Sequence, residues 1–530
     1  MAKYFRPKRL ILLSLVLAWV FDFLFWGKAQ GISFPIFTGL VLALGFWFAS
    51  QEGNRPPRSS LLLLIPIIFF SAVTAIRAEG FTVFLGVFYT ISLLAILAVT
   101  FLGGRWIKYS FSDYFAKLLL LFPSGISVLQ ASTPKISKKK SPLQSLAPVL
   151  RGLLFAIPIV WVLAALLSSA DVIFADWLVD FFAFLRIDNL VEYIFRGFYI
   201  LILGYMLAAA YMFSLNKSKS EELLGAKKPL FSPILGFTEA VTILASVNVL
   251  FAAFVVVQFQ YFFGGATNIF STSSGFTYAE YARQGFAELV VVAVLSLFLF
   301  IALSTIVQRG KAKQQTWFSG LGIALMLLVS VILVSAFQRL LLYESVFGFT
   351  RMRTFPHVFM IWLGLLLAAV VVLELLNRRR AFALATLAAA LGFSATLPIL
   401  NVDAFIVRAN LQRYQTSGDI DIGYLASLSA DAVPPLVAEY LHAKVAGNDD
   451  RTQIAAGALA CHASQHYDYA GNTAWQSWHY SRNAAQQLWA QISSNAIFEQ
   501  ILLEADGESR YVPAVMINGE EFSCFPMSWD

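Results

Sequence analysis

For its first 400 residues the chain repeats one pattern, an apolar run followed by a short polar break and then another apolar run. Crossing a bilayer as a helix takes roughly 20 mostly apolar residues. The runs that approach that length are Leu10–Trp26, Ile32–Ala49, Leu61–Ile76, Phe81–Leu102, Val149–Ser168, Tyr193–Phe213, Leu235–Phe262, Glu288–Val307, Trp317–Phe337, Phe355–Leu376 and Ala381–Leu400. Beyond Asn401 none is long enough. There Ser429 or Asp431 is placed to cap a helix whose first turn takes Pro434 and Pro435. Further helices are expected over Thr452–Gln465 and Ala474–Ile492. The alternation in Y-V-P-A-V-M-I-N-G-E-E-F-S-C-F predicts a hairpin about Asn518-Gly519 with a type I′ turn.

The pattern therefore predicts an all-α polytopic membrane protein of about 11 transmembrane helices. A small, mostly helical extracytoplasmic C-terminal domain follows and ends in a β-hairpin. Residues 1–147 hold the N-terminal spans and a cytoplasmic interfacial segment, 148–400 the core transmembrane region, and 401–530 the C-terminal domain. The interfacial segment is Ser112–Gln130, an amphipathic stretch cut by Pro123 and Gly125 and followed by Lys135, Lys138, Lys139 and Lys140.

Composition agrees, with 58% hydrophobic and only 13% charged residues. The net charge of +7 is unevenly spread. From Asn401 onward six Lys/Arg stand against fifteen Asp/Glu, a net −9 that leaves +16 on the first 400 residues. With the N-terminus in the cytoplasm, alternation puts Arg55, Arg58, Arg105 through Lys140, Lys217, Lys227, Arg309 and Arg378–Arg380 on the inner side. The acidic domain then faces outward. Basic residues in short loops between apolar runs are no nucleic-acid surface. No P-loop, G-x-S-x-G, H-E-x-x-H or kinase motif set is present, which argues against an ATPase or a standard hydrolase.

Two polar stretches stand out on the predicted outer side. In Gln258–Glu288, T-Y-A-E reads as a capping box in which Thr277 and Glu280 open a helix that runs into the next span. Tyr278, Tyr281, Arg283 and Glu288 are its candidate ligand-binding residues. In Gln338–Phe355, Arg339, Arg351 and Arg353 break the positive-inside trend with Glu344 between them. Arginine forks suit either a buried carboxylate (Glu344, Glu288 or Asp403) or an anionic ligand such as a lipid head group. Glu344, Arg351 and Arg353 complete the candidate set. Asp22 and Glu239 are ionisable groups within spans, at opposite depths, with no relay between them. Cys461 and Cys524 are placed either to pair or to stay free. His462 and His466 are spaced i, i+4 near Cys461, but no second ligand pair accompanies them, so no metal and no cofactor is assigned.

The blocks V-N-V-L-F-A-A-F-V-V-V-Q-F-Q-Y-F-F-G-G, G-F-T-Y-A-E-Y-A-R-Q-G-F-A-E-L, Y-E-S-V-F-G-F-T-R-M-R, N-V-D-A-F-I-V-R-A-N and L-S-A-D-A-V-P-P-L occur in that order. This order resembles a family of bacterial multi-spanning proteins, domain of unknown function 4173, related to domain of unknown function 4153. The resemblance runs from Val149 to Leu436. It implies a bacterial cytoplasmic (inner) membrane location and brings no activity, substrate or catalytic residue. The expected function is an envelope-facing interaction or sensory protein that binds an anionic lipid or envelope partner at its outer face. A transporter of a small solute or lipid, and a membrane enzyme on a lipid-linked substrate, are the alternatives.

Overall fold

The computed structural model describes residues 7–115, 190–218, 235–263, 285–307, 312–466, 474–495, 514–517 and 519–525, with scattered positions between 117 and 177 and at 497–498. Its helices are α1 (Pro7–Phe25), α2 (Ser33–Gln51), α3 (Arg58–Leu61), α4 (Leu64–Ile76), α5 (Gly80–Thr100), α6 (Leu190–Asn216), α7 (Phe237–Phe263), α8 (Phe286–Ile306), α9 (Ala312–Phe347), α10 (Arg351–Leu375) and α11 (Phe382–Leu400). Then come α12 (Val402–Ser417), α13 (Ile422–Ala426), α14 (Val433–Val445), α15 (Asp449–His466), α16 (Tyr480–Ile492) and the strands β1 (Ala514–Ile517) and β2 (Glu520–Ser523). Nine helical stretches among the described residues are long and apolar enough to cross a membrane: α2, α3 with α4, and α5 through α11. α1 matches α2 in length but carries Lys8, Arg9 and Asp22. Of the expected span Val149–Ser168 the described residues are 152, 156, 159–164 and 166–168, all helical, within an apolar helix Ile159–Ala170. Ser112–Gln130 falls largely outside the described residues beyond its first turn. Ile65, Ile68, Phe84, Phe88, Phe298 and Leu327 point outward from their helices, as lipid-facing side chains do.

The chain forms two compact units. One comprises Met1–Phe23 and Leu121–Phe213. Within it α1 and α6 touch closely, because a Cβ on Gly204 would lie 2.7 Å from the Leu15 side chain. Buried Asp22 accepts from Arg196 Nε at 2.9 Å and Nη2 at 2.5 Å, and the Tyr199 hydroxyl donates to it as well. A carboxylate among apolar helices needs that company. In the second unit Glu239 accepts from the Gly236 amide at 2.7 Å, an anion at the start of α7.

The second unit comprises Leu24–Leu120 and Ser214–Asp530. In its membrane part α9 is the central strut: Leu325, Met326, Val329 and Ala336 are fully buried among α7, α8 and α10. Gly322 lies so close to the Phe300 ring that a Cβ there would collide, which lets α8 and α9 approach. At one end of this bundle Ser60 Oγ donates to the Thr100 carbonyl, Trp106 to the Ser59 carbonyl and Gln315 to Asn377 Oδ1. Buried Glu374 takes Ser319 Oγ at 2.6 Å and Arg379 Nη2 at 2.9 Å at this end.

At the other end the chain after Leu400 folds back on the span ends. Asn401 takes a left-handed conformation (φ +55°) between α11 and α12, a turn asparagine tolerates. Leu425, Leu428, Leu436, Tyr440, Leu459, Val515 and Ile517 form a core shared with Leu85, Val358 and Leu397 of the spans. Pro434 and Pro435 fall in the first turn of α14, behind a turn capped by Ser429 through the Asp431 amide. β1 pairs antiparallel with β2 across a two-residue connection, with Gly519 at φ +85°. Asn518 lies outside the described residues. Cys461 of α15 and Cys524 after β2 are disulfide-bonded, with Cα atoms 5.1 Å apart.

Two expectations about helix boundaries change. The opening of a helix at Thr277 lies outside the described residues, but an unbroken run into the span does not hold, since Gly285 stands at φ +94° and α8 starts at Phe286. The stretch after Phe337, read as an outer segment beyond the span, is helical up to Phe347. This gives α9 36 residues, a rod of about 54 Å. Leu340 and Glu344 are buried along that extension, which is what holds it helical.

Candidate functional site

The junction between the span ends and the C-terminal segment is built on the three-residue turn Arg77–Ala78–Glu79 joining α4 and α5. Glu79 caps α5 by accepting from the Phe81 amide at 2.8 Å and the Thr82 amide at 2.7 Å. Asp431, itself buried, accepts from the Ala78 amide at 2.7 Å and the Glu79 amide at 3.2 Å, and pairs with Arg77 at 3.7 Å. Arg77 Nε donates to the Pro398 carbonyl at 2.8 Å. From the start of α16, Ser481 Oγ lies 2.6 Å from the Ile76 carbonyl, and His479 Nε2 donates to the Arg77 carbonyl at 3.0 Å. That bond fixes the tautomer, leaving Nδ1 to accept from the Arg482 amide. Burial first, then the charge of Arg482, lowers the His479 pKa below its ordinary value, so the ring is held neutral.

A second clasp holds the turn between α9 and α10. Gly348 sits at φ +76°, and a Cβ there would lie 2.6 Å from Asn410 Oδ1. Asn410 accepts from the Phe349 amide and donates to the Phe349 carbonyl, both at 2.8 Å. Arg353 Nη1 donates to the carbonyls of Phe347 (2.8 Å) and Gly348 (2.6 Å), and its guanidinium lies 4.1 Å from the Tyr343 ring centroid. Arg413 reaches the Val346 carbonyl at 2.5 Å. Both arginines cap the carbonyl end of α9, where the helix dipole favours cations. Arg351 Nε and Nη2 meet the two Asp403 oxygens at 2.8 and 2.5 Å, and its amide donates to the Tyr424 hydroxyl.

Between these clasps lies a cavity of about 630 Å³. Ala78 and Gly80 border it from the α4–α5 turn, Arg351 from the start of α10, His462 from α15, and Arg482 and Trp489 from α16. Among the described residues that line it, none is a carboxylate. The Arg482 guanidinium, together with that of Arg351 on its Asp403 partner, stands beside apolar and hydroxyl-bearing walls, a lining that favours an anion with some apolar surface.

The sequence-derived residues scatter. Tyr278, Tyr281 and Arg283 lie outside the described residues. Glu288 is exposed in the first turn of α8, which begins directly after the left-handed Gly285. Glu344 is buried and faces His357 Nδ1 at 3.1 Å rather than an arginine. Arg353 serves as a helix cap. Arg351 alone reaches the cavity, with Asp403 as its carboxylate. Sequence reasoning missed Asp431, His479, Ser481 and Arg482. The S-A-D-A-V-P-P block was read only as a helix start, and nothing in the sequence points from position 431 to 77 or 481.

Over residues 64–439 the chain matches the family described as Domain of unknown function (DUF4153). The chain belongs to this family. It is the relative of the domain first suggested by the sequence blocks, and the match begins well before Val149. It takes in the Arg77–Glu79 turn, Arg351, Asp403 and Asp431 but stops short of α16. No curated protein and no solved structure matches the chain.

Proposed function

We propose that this multi-pass membrane protein is a binding or sensory protein of the bacterial cytoplasmic membrane, with its N-terminus in the cytoplasm and its C-terminal segment outside. Its ligand site is the junction cavity and its ligand an anionic amphiphile, such as an anionic phospholipid. The observation that carries this is the cavity itself, with Arg351 and Arg482 in its wall and no carboxylate among the described lining residues. The orientation is supported by Arg55, Arg58, Arg105 and Arg378–Arg380 at the opposite end of the bundle, and by a disulfide that persists in oxidising compartments. The test is mass spectrometry of lipids that stay with the full-length protein after detergent extraction. Wild type retains anionic phospholipid and Arg482→Glu loses it. Equal retention by both overturns the reading.

One observation favours a transporter as second reading: buried Glu344 of α9 faces half-buried His357 of α10, Nδ1 to carboxylate 3.1 Å, between two spans. Proton-coupled solute flux in proteoliposomes that disappears in Glu344→Gln would establish it.

A further inference from the structure

The C-terminal segment exposes three large aromatic side chains close together in sequence: Trp475 (56% exposed), Trp478 (43%) and Tyr480 (56%). We infer that they form an aromatic anchor that seats the C-terminal segment in the headgroup layer of the bilayer. The argument rests on height. The Trp478 carbonyl accepts from the Ile32 amide at 2.9 Å, one residue before the span that begins at Ser33. His479 donates to the carbonyl of Arg77, and Ser481 Oγ lies 2.6 Å from that of Ile76, the last residue of another span. Two independent span ends therefore bracket positions 478–481.

Contact with the first end is tight. A Cβ on Gly31 would fall 2.4 Å from the Trp478 carbonyl oxygen, so the backbones meet without a side chain between them. The ends of apolar spans mark where hydrocarbon gives way to headgroups. Tryptophan and tyrosine, each with an apolar ring and one polar hydrogen, are enriched in that layer. Exposed aromatics at any other height of a water-facing domain would be an unfavourable surface. At this height they have a partner already present, the lipid that surrounds the spans. The inference is independent of what fills the junction cavity.

The full-length protein in phosphatidylcholine–phosphatidylglycerol vesicles tests it. Its two cysteines are bonded to each other, so a cysteine introduced by Trp475→Cys can carry an environment-sensitive fluorophore such as NBD. Val445→Cys, at a 90% exposed position of the same segment, is the control. The label at 475 is expected to emit to the blue of the one at 445. Lipids spin-labelled near the headgroup should quench it at least twofold more than at 445, with iodide having the reverse preference. Equal behaviour of the two labels overturns the inference. Shielding of 475 from iodide without quenching by labelled lipid overturns it too, since that outcome marks a protein contact.

Discussion

Arg351 meets Asp403 with its guanidinium fork, two nitrogens on two oxygens at 2.8 and 2.5 Å, and Asp403 is fully buried. The pair ties the first residue of α10 to the first turn of α12, and Asp403 Oδ2 also accepts from the Ser429 amide. A buried pair is costly to break from one side, because the partner charge is left behind. Asp403→Ala is expected to lower stability by about 3 kcal/mol, on the scale for such removals. Arg351→Lys, which keeps the charge and loses the fork, should cost less. Thermal unfolding in detergent measures both; equal losses would mean that the fork geometry contributes nothing.

His479 gives the junction a pH dependence with a definite sign. The folded state holds the ring neutral and keeps its pKa below the ordinary value, while the unfolded chain protonates at about 6.5. Its contribution is therefore complete above that pH and declines as pH falls through and below it. Wild type should lose thermal stability as pH falls below about 6.5 relative to His479→Gln, which can still donate to the Arg77 carbonyl. Parallel pH profiles for the two proteins would remove His479 from the account.

The Cys461–Cys524 bond closes a separation of 63 residues and ties β2 to α15. Cys461→Ser with Cys524→Ser is expected to destabilise the C-terminal segment by about 2–4 kcal/mol, whether the effect arises in the unfolded or the folded state. Limited proteolysis of the double variant should cut first around the hairpin, while the spans remain intact.

Gly348 is required twice over, by φ +76° and by Asn410 Oδ1 at 2.6 Å from where a Cβ would stand. Gly348→Ala should cost about 1–3 kcal/mol. Gly320, with nothing within 4 Å of its Cβ, is the control: Gly320→Ala should be neutral or mildly stabilising.

Much of the architecture was legible because hydrophobic runs, Pro434-Pro435 and Asn518-Gly519 each encode their structure locally. The limits lay where a distant contact decides. The extension of α9 to Phe347 depends on burial of Leu340 and Glu344 by neighbouring helices. Gly285 carries no mark in the sequence that distinguishes a helix break from a helical glycine. The site was harder still. Asp403 was named among the possible partners of the outer arginines, since a buried carboxylate is what such arginines require. Asp431 and Ser481 are 50 positions apart and meet only because both hold the Ile76–Glu79 turn. Nothing in the charge pattern marks Arg482 as a cavity residue.

The apolar core that runs from Leu436 and Leu459 through Leu85, Val358 and Leu397 has a consequence for biogenesis. The segment after Leu400 cannot complete its interior until α5, α10 and α11 are already in place. Folding of the segment after Leu400 thus follows assembly of those spans, and it closes over a bundle already in place. Produced alone, that segment would expose the patch meant for the span ends and aggregate.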